Sequence, residues 1–278
     1  MTKDNMTIRF APDGFSFIDC PDATSAQLDD APFHEVTPGP DFQQRLHEAV
    51  LNVLPESETP PNLTVQILSE RVIIIPPDTD LELATSMYHA TLSDLDEPEQ
   101  VLLQSLTIPS GQHDVPPSSH HVAPSSGQRV TLCFGINRQL YLFLERNYGD
   151  LRFEHHLATL LQAASASQPM AAPASASLRP QAFQSQPSLA APSAPQSLLA
   201  AQVSPQFLEL ALFRAGRLAL ANVYRTSQPD NRRYYVLNTW LHEGLDQLND
   251  HLLILGTGDP ASQLHQDLRP FIKHILLR

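Results

Sequence analysis

The sequence predicts a duplicated α/β protein with mixed β-sheets. Two observations carry this reading. Each half of the chain has a tight hairpin signal between apolar runs, and then alternates helix-period and strand-period segments. Between the halves, residues 165–197 are almost wholly Ala, Ser, Pro and Gln, a composition too poor in apolar side chains to offset ordering entropy. The chain therefore divides into a first unit over 1–164, a disordered linker over 165–197 and a second unit over 198–278.

In the first unit, Ile8, Phe10, Phe15 and Phe17 flank Pro12-Asp13-Gly14, and alternation about Asp-Gly reads as a β-hairpin. Asp41 opens a helix in which Phe42, Leu46, Ala49, Val50 and Val53 recur at helical spacing, and Pro55 stops it. Asn62 to Leu68 alternates as a strand. Arg71 to Ile75 is a short apolar run ended by Pro76-Pro77, the pattern of a strand buried on both faces. A helix is expected from Asp80 to Ala90, and a long surface loop over the Pro-, Ser- and His-rich stretch from Pro109 to Gly127. Arg129 to Gly135 reads as a strand and Arg138 to Tyr148 as a helix closed by Gly149. Leu151 to His155 is a further strand, and His156 to Ala164 starts a helix.

The second unit repeats this grammar. Leu198 to Val203 is a strand, Ser204-Pro205 a turn, and Phe207 to Phe213 the returning strand. Arg214-Ala-Gly-Arg217 turns the chain into a third strand, Leu218 to Tyr224. Arg233 to Leu248 is expected to be a helix packing through Tyr234, Leu237, Leu241 and Leu245. His251 to Leu255 is an apolar strand, Gly256 to Pro260 a loop, and Ser262 leads a last helix carrying Leu264, Leu268 and Ile272. Phe10, Phe17, Ile74, Phe134, Leu212 and Ile254 are the strand residues expected in the core.

Charge narrows the function classes. The 278 residues hold 17 Lys and Arg against 30 Asp and Glu. The acidity is uneven: residues 1–161 hold 8 cations and 23 anions, or −15, whereas 203–278 hold 8 and 7, or +1. A body this acidic repels phosphate backbones, so nucleic-acid binding is not expected. No stretch approaches the roughly 20 apolar residues of a membrane helix, and no apolar leader follows Met1. A cytoplasmic protein without membrane insertion is the expectation, with Cys20 and Cys133 as reduced, buried thiols.

Several motifs carry the element order further. These are Thr7 to Phe17, the strand–helix run Leu132-Cys-Phe-Gly-Ile136 to Leu144, Gly216-Arg-Leu-Ala-Leu-Ala-Asn222, and Leu253-Ile-Leu-Gly-Thr-Gly258. On these the chain resembles the actin-like ATPase superfamily, a duplicated two-lobe fold of ribonuclease H-like type whose lobes each carry a β-β-β-α-β-α-β core. Within it, the chain is similar to an uncharacterised domain-of-unknown-function family of Bacteroidota. It resembles more distantly the actin-like cytoplasmic platforms of type II secretion and type IV pilus systems. The resemblance implies two lobes, at 1–164 and 198–278, around a cleft that in active members grips ATP and Mg²⁺ with two hairpins and a late loop.

Carried over by residue, the implied nucleotide contacts are Asp13 and Gly14 at the first hairpin and Gly256, Thr257 and Gly258 in the late loop. The first hairpin continues with Phe15, where the superfamily pattern has a phosphate-gripping Lys, Ser or Thr. The second hairpin has Val203-Ser-Pro-Gln206, with neither the acid nor the glycine of the pattern. The Gly256 loop also stands on its own chemistry: a strand, a Gly-x-Gly turn and a helix present backbone N–H groups to an anion. Its bland reading is an ordinary strand-to-helix turn capped by Asp259 or Ser262.

Other constellations are weaker. His113, His120 and His121 lie in the Pro-Ser loop without the spacing of a zinc site. In His155-His156, strand alternation places one ring outward and one partly inward. Glu243 and Asp246 read as a solvated helix face, and Trp240 as core or lobe packing. No catalytic residues and no metal site emerge. The expected function is a non-catalytic actin-like binding or scaffolding protein with a protein partner and no cofactor. Two alternatives are an ATPase or kinase-like phosphotransferase using ATP and Mg²⁺, and a pilus- or secretion-type assembly platform.

Overall fold

Two five-stranded sheets of the same strand order dominate the computed structural model. The structure describes residues 5–18, 31–37, 39–53, 62–92, 98–109, 127–148, 150–167, 197–256 and 258–278. The first sheet is built from β1 (Asn5–Ala11), β2 (Gly14–Ile18), β3 (Phe33–Glu35), β4 (Asn62–Ile67) and β8 (Leu151–His155), in the order β3-β2-β1-β4-β8. The second holds β9 (Ser197–Val203), β10 (Phe207–Arg214), β11 (Arg217–Arg225), β12 (His251–Leu255) and β13 (His274–Leu277), in the order β11-β10-β9-β12-β13. In both, three antiparallel strands are continued by two parallel ones. The two sheets are thus one topology used twice, mixed in direction as the sequence predicts.

A third sheet is set between β4 and β8 in the chain. It comprises β5 (Val72–Ile75), β6 (Glu99–Pro109) and β7 (Gly127–Asn137) in the antiparallel order β5-β7-β6. The helices are α1 (Phe42–Val53), α2 (Leu81–Thr91), α3 (Arg138–Asn147), α4 (Leu157–Ala166), α5 (Pro229–His242) and α6 (Asp259–Leu268). Local chemistry fixes where they start. Asp80 Oδ1 accepts from the Leu83 amide at 2.9 Å, and Asn137 Oδ1 accepts from the Gln139 amide at 2.9 Å, so each caps orphan first-turn donors of α2 and α3. No helix among the described residues is long and apolar enough to cross a membrane.

The core explains how the halves meet. α4 is apolar on nearly every side: Leu157, Ala158, Leu160, Leu161 and Ala164 are all buried. They join Ile8, Phe10, Val65 and Leu132 in one cluster with Leu198, Ala200, Ala211 and Phe213 of the second unit. The opposite face of the second sheet packs Leu199, Leu208, Leu210 and Leu212 against Val236, Trp240 and Leu264. β9 and β10 are therefore buried on both faces, which is why their sequences run almost continuously apolar.

Several sequence expectations are corrected. β5 is an edge strand in which Val72 and Ile73 are half-buried and Ile74 is 37% exposed, leaving Ile75 as its one buried residue. Phe17 is only partly buried, whereas Phe10, Phe134, Leu212 and Ile254 are in the core as expected. α5 begins at Pro229 and ends at His242, so Glu243 and Asp246 lie beyond it rather than on a helix face. α6 begins at Asp259 and ends at Leu268, leaving room for β13. The tract expected to be a linker starts inside α4, where Ser165 is buried, and ends on Ser197, the first residue of β9; residues 168–196 lie outside the described residues. So do Cys20, Thr257 and the loop histidines His113, His120 and His121.

Candidate functional site

The hairpin turn between β1 and β2 presents Asp13, followed by Gly14 with φ 157°. Glycine is required there because β3 runs so close that a Cβ would overlap the His34 carbonyl. The Asp13 carbonyl accepts from the Val36 amide at 2.8 Å, which pins the turn to the chain following β3. The matching turn of the second unit, between β9 and β10, is Ser204-Pro205-Gln206. Ser204 closes it by donating its amide to the Phe207 carbonyl at 3.0 Å, while its hydroxyl accepts from the Phe207 amide at 3.2 Å.

These two turns touch. The side-chain amide of Gln206 donates a hydrogen bond to Asp13 Oδ2. The Gly256 loop lies against the same second-unit turn: a Cβ on Gly256, whose φ is 139°, would stand 2.5 Å from the Val203 carbonyl oxygen. Asp13 and Gly256 are thus linked through the β9–β10 turn. The Gly256 amide donates to the Arg278 carbonyl at 3.3 Å, so this donor is turned onto the chain terminus. Gly258 occupies the N-cap position of α6, without a side-chain cap.

A buried polar seam runs beside these turns. His155 is the last residue of β8, and both it and His156 are buried, at 0% and 1% exposure. Strand alternation predicts opposite directions for the two rings, but His156 already has helical φ −57° and ψ −31°, which turns both inward. His155 Nδ1 accepts from the Leu157 amide at 3.2 Å, and its Nε2 lies 3.0 Å from the Ser69 carbonyl, which makes it a neutral Nε2–H tautomer. Burial and the neighbouring His156 push its pKa well below the ordinary histidine value.

Across the units, His156 Nδ1 meets Glu209 Oε1 of β10 at 2.5 Å, with both side chains 1% exposed. Arg9 extends the seam by donating to Gln66 Oε1 at 2.6 Å. The sequence contains one signal for this pair: Glu209 is the single charge within the apolar run Phe207 to Phe213, at the centre of a buried strand.

Next to the second turn, a hollow of about 500 Å³ is lined by Gln206, Arg225, Thr226, Ser227, Gln228 and Asn231. Further along α5, Tyr234 and Leu241 are 61% and 70% exposed and share an outer stripe with Leu237. Of the stripe read from the sequence, Leu245 is buried and Leu237 packs partly against the second core, whereas Tyr234 and Leu241 face outward; the buried face of the helix is Arg232, Val236, Thr239 and Trp240. Among the described residues, no group of three His, Cys, Asp or Glu side chains could hold a metal ion.

Comparison with known proteins agrees with the architecture. Residues 181–275 match a family described as "Protein of unknown function (DUF3822)". No curated protein matches the chain. A solved protein of Bacteroides thetaiotaomicron, described as having an actin-like ATPase fold and unknown function, superposes with a TM-score of 0.60 at 20% identity, over 99% of this chain and 91% of that one. A chain of a PilM–PilN type IV pilus biogenesis complex superposes with a TM-score of 0.49 at 10% identity, over 99% of this chain and 88% of that one. Two sheets of one strand order, joined through a shared core, thus give the chain the actin-like ATPase fold.

Proposed function

We propose that this chain is a non-catalytic actin-like protein of the bacterial cytoplasm that acts by binding or scaffolding another protein. The observation that carries the reading is the hydrogen bond from Gln206 to Asp13. In the superfamily that the fold resembles, the two hairpin turns straddle the phosphates of ATP. Here they bond to each other, and one oxygen of the carboxylate that would face Mg²⁺ accepts from a side-chain amide. Pro205 removes one backbone donor from the second turn, and the Gly256 amide is committed to Arg278. Charge acts in the same direction, since residues 1–161 sum to −15.

The exposed side chains of Tyr234 and Leu241, one on either side of the half-buried Leu237, support the binding half of the proposal, because contiguous apolar helix surface is the kind of face that a protein partner covers. Calorimetry of the full chain with ATP·Mg²⁺ tests the reading, paired with an assay of phosphate release. The expected outcome is no saturable heat at submillimolar nucleotide and no turnover above the buffer rate. A dissociation constant in the micromolar range, roughly −8 kcal/mol, would overturn the reading in favour of the ATP-dependent alternative.

A further inference from the structure

The outer edge of β11 is long, unpaired and basic. β11 is the outermost strand of the second sheet and pairs with β10 alone. It runs for nine residues, Arg217–Arg225, whereas β3, in the same place in the first sheet, has three and ends on Glu35. An edge strand presents a row of peptide groups that another strand can pair with. The direction of those groups follows from the next residue. The Thr226 amide donates inward, to the Gln206 carbonyl at 2.7 Å. Alternation then turns the peptide groups of Arg225, Val223 and Ala221 outward. Among the described residues, none of these three has a backbone partner on the outer side.

Three observations say what covers this edge. The first is that one rung is already filled by an amide. The Leu218 amide donates to Gln128 Oε1 at 2.8 Å, and the Leu218 carbonyl accepts from Gln128 Nε2 at 3.4 Å. A side-chain amide does there what a neighbouring strand's peptide group does. The second is charge. β11 holds no Asp or Glu, and Arg217 and Arg225 stand exposed at its two ends without an ion-pair partner among the described residues. Eight residues of strand place them about 26 Å apart. The third is aromatic. Tyr224 stacks on Tyr235 of α5 with ring centroids 4.1 Å apart, and Tyr235 meets Tyr234, which is 61% exposed, at 5.5 Å. The α5 side of the edge is therefore continuous with exposed aromatic surface.

The charges also decide between occupants. Full-length pairing of β11 with a second copy of itself about a two-fold axis is antiparallel. It sets Arg217 of each copy opposite Arg225 of the other, and like charges directly opposite are destabilising. An acidic strand meets the same two guanidinium groups with attraction. We propose that the edge of β11 docks an extended, acidic peptide segment of a partner protein. The segment joins the second sheet as a sixth strand through the backbone of Ala221, Val223 and Arg225, with carboxylates set against Arg217 and Arg225. The inference rests on the scaffolding reading and names the chemistry of the partner.

The probe is a fluorescent peptide of about nine residues, matched to the strand length, with glutamate at both ends and threonine and valine alternating between them. It reads the same in both directions, so parallel and antiparallel docking both bring a glutamate to each arginine. Anisotropy with the full chain should saturate with a dissociation constant of about 10–100 µM, and hydrogen exchange of the Ala221 and Val223 amides should slow at saturation. Val223→Pro removes a central outward donor at a place where an edge strand tolerates proline, and should weaken binding at least about tenfold. The double variant Arg217→Glu, Arg225→Glu should also weaken it about tenfold, and should bind the same peptide with lysine ends in its place. That exchange of charge involves two exposed side chains, so it stays readable if Val223→Pro does not fold. Absence of saturation, equal binding of the lysine-ended peptide by the parent chain, protection that falls outside β11, or charge-reversed protein that binds as the parent does would each overturn the proposal. Failure of the peptide with no ATP heat strikes this edge and leaves the scaffolding reading in place, whereas a micromolar ATP constant strikes that reading itself.

Discussion

His155 is fully buried, and its protonation is linked to folding. Its folded pKa is depressed by burial and by His156, whereas the unfolded chain has the ordinary value near 6.5. Below that pH the unfolded state binds a proton that the folded state refuses. Stability is therefore full above pH 6.5 and falls as pH drops below it, by about 1.4 kcal/mol per pH unit until the folded ring also titrates. His47 and His251 are also lowered by burial and add to the same slope, but both are less enclosed. Urea midpoints measured from pH 7.5 to pH 5 should fall, and His155→Gln should remove close to one proton from the slope. An unchanged slope in that variant would show that other groups carry the linkage. Strand alternation fails at His155-His156 for a definite reason. Alternation holds only while the backbone stays extended, and His156 has already entered the helical region.

At the scale of elements, α5 shows what was legible and what was not. The helix itself could be read from its pattern, but its apolar residues form two stripes. Tyr234, Leu237 and Leu241 recur at helical spacing as regularly as Val236 and Trp240 do, and nothing local says which stripe faces the sheet. The structure selects the one with Arg232 and Thr239, two polar residues that a hydrophobicity pattern counts against it. Trp240→Ala should cost about 3–5 kcal/mol, whereas Leu241→Ala should stay within about 0.5 kcal/mol of the parent. Denaturant curves on the two variants check both, and a large loss for Leu241→Ala would mean the outer stripe is covered. Strand β6 is not legible in the sequence because Gln100, Gln104 and Ser105 break its alternation, although β7 pairs with it along its whole length. Gly256 and Asp13 were legible as turns. Their connection through Gln206 was not, because 193 residues separate the two partners.

At the scale of the molecule, the decisive feature is that two similar sheets do not keep separate cores. α4 belongs to the first unit by sequence, yet its Leu157 to Ala164 side shares a cluster with Leu198, Ala200 and Ala211 of the second. The small side chains at Ala164, Ala200 and Ala211 fit a close approach of helix and sheet. Polar links reinforce this closure. Gln128 Oε1 of β7 accepts from the Leu218 amide at 2.8 Å, His156 meets Glu209, and Arg278 donates to Ser167 Oγ at 2.8 Å. Neither unit can open without exposing apolar surface of the other, so the fold should unfold as one cooperative body. Trp240 is the single tryptophan and sits in the second core, where it reports on that unit alone. Far-UV circular dichroism reports on both units. The two transitions should coincide in urea, with equal midpoints and slopes. Ala164→Leu, which overfills the shared contact, should lower both midpoints together by about 1–3 kcal/mol of stability. A tryptophan transition that separates from the backbone signal, or an Ala164→Leu variant that moves only one of them, would show that the seam is an interface between independent lobes.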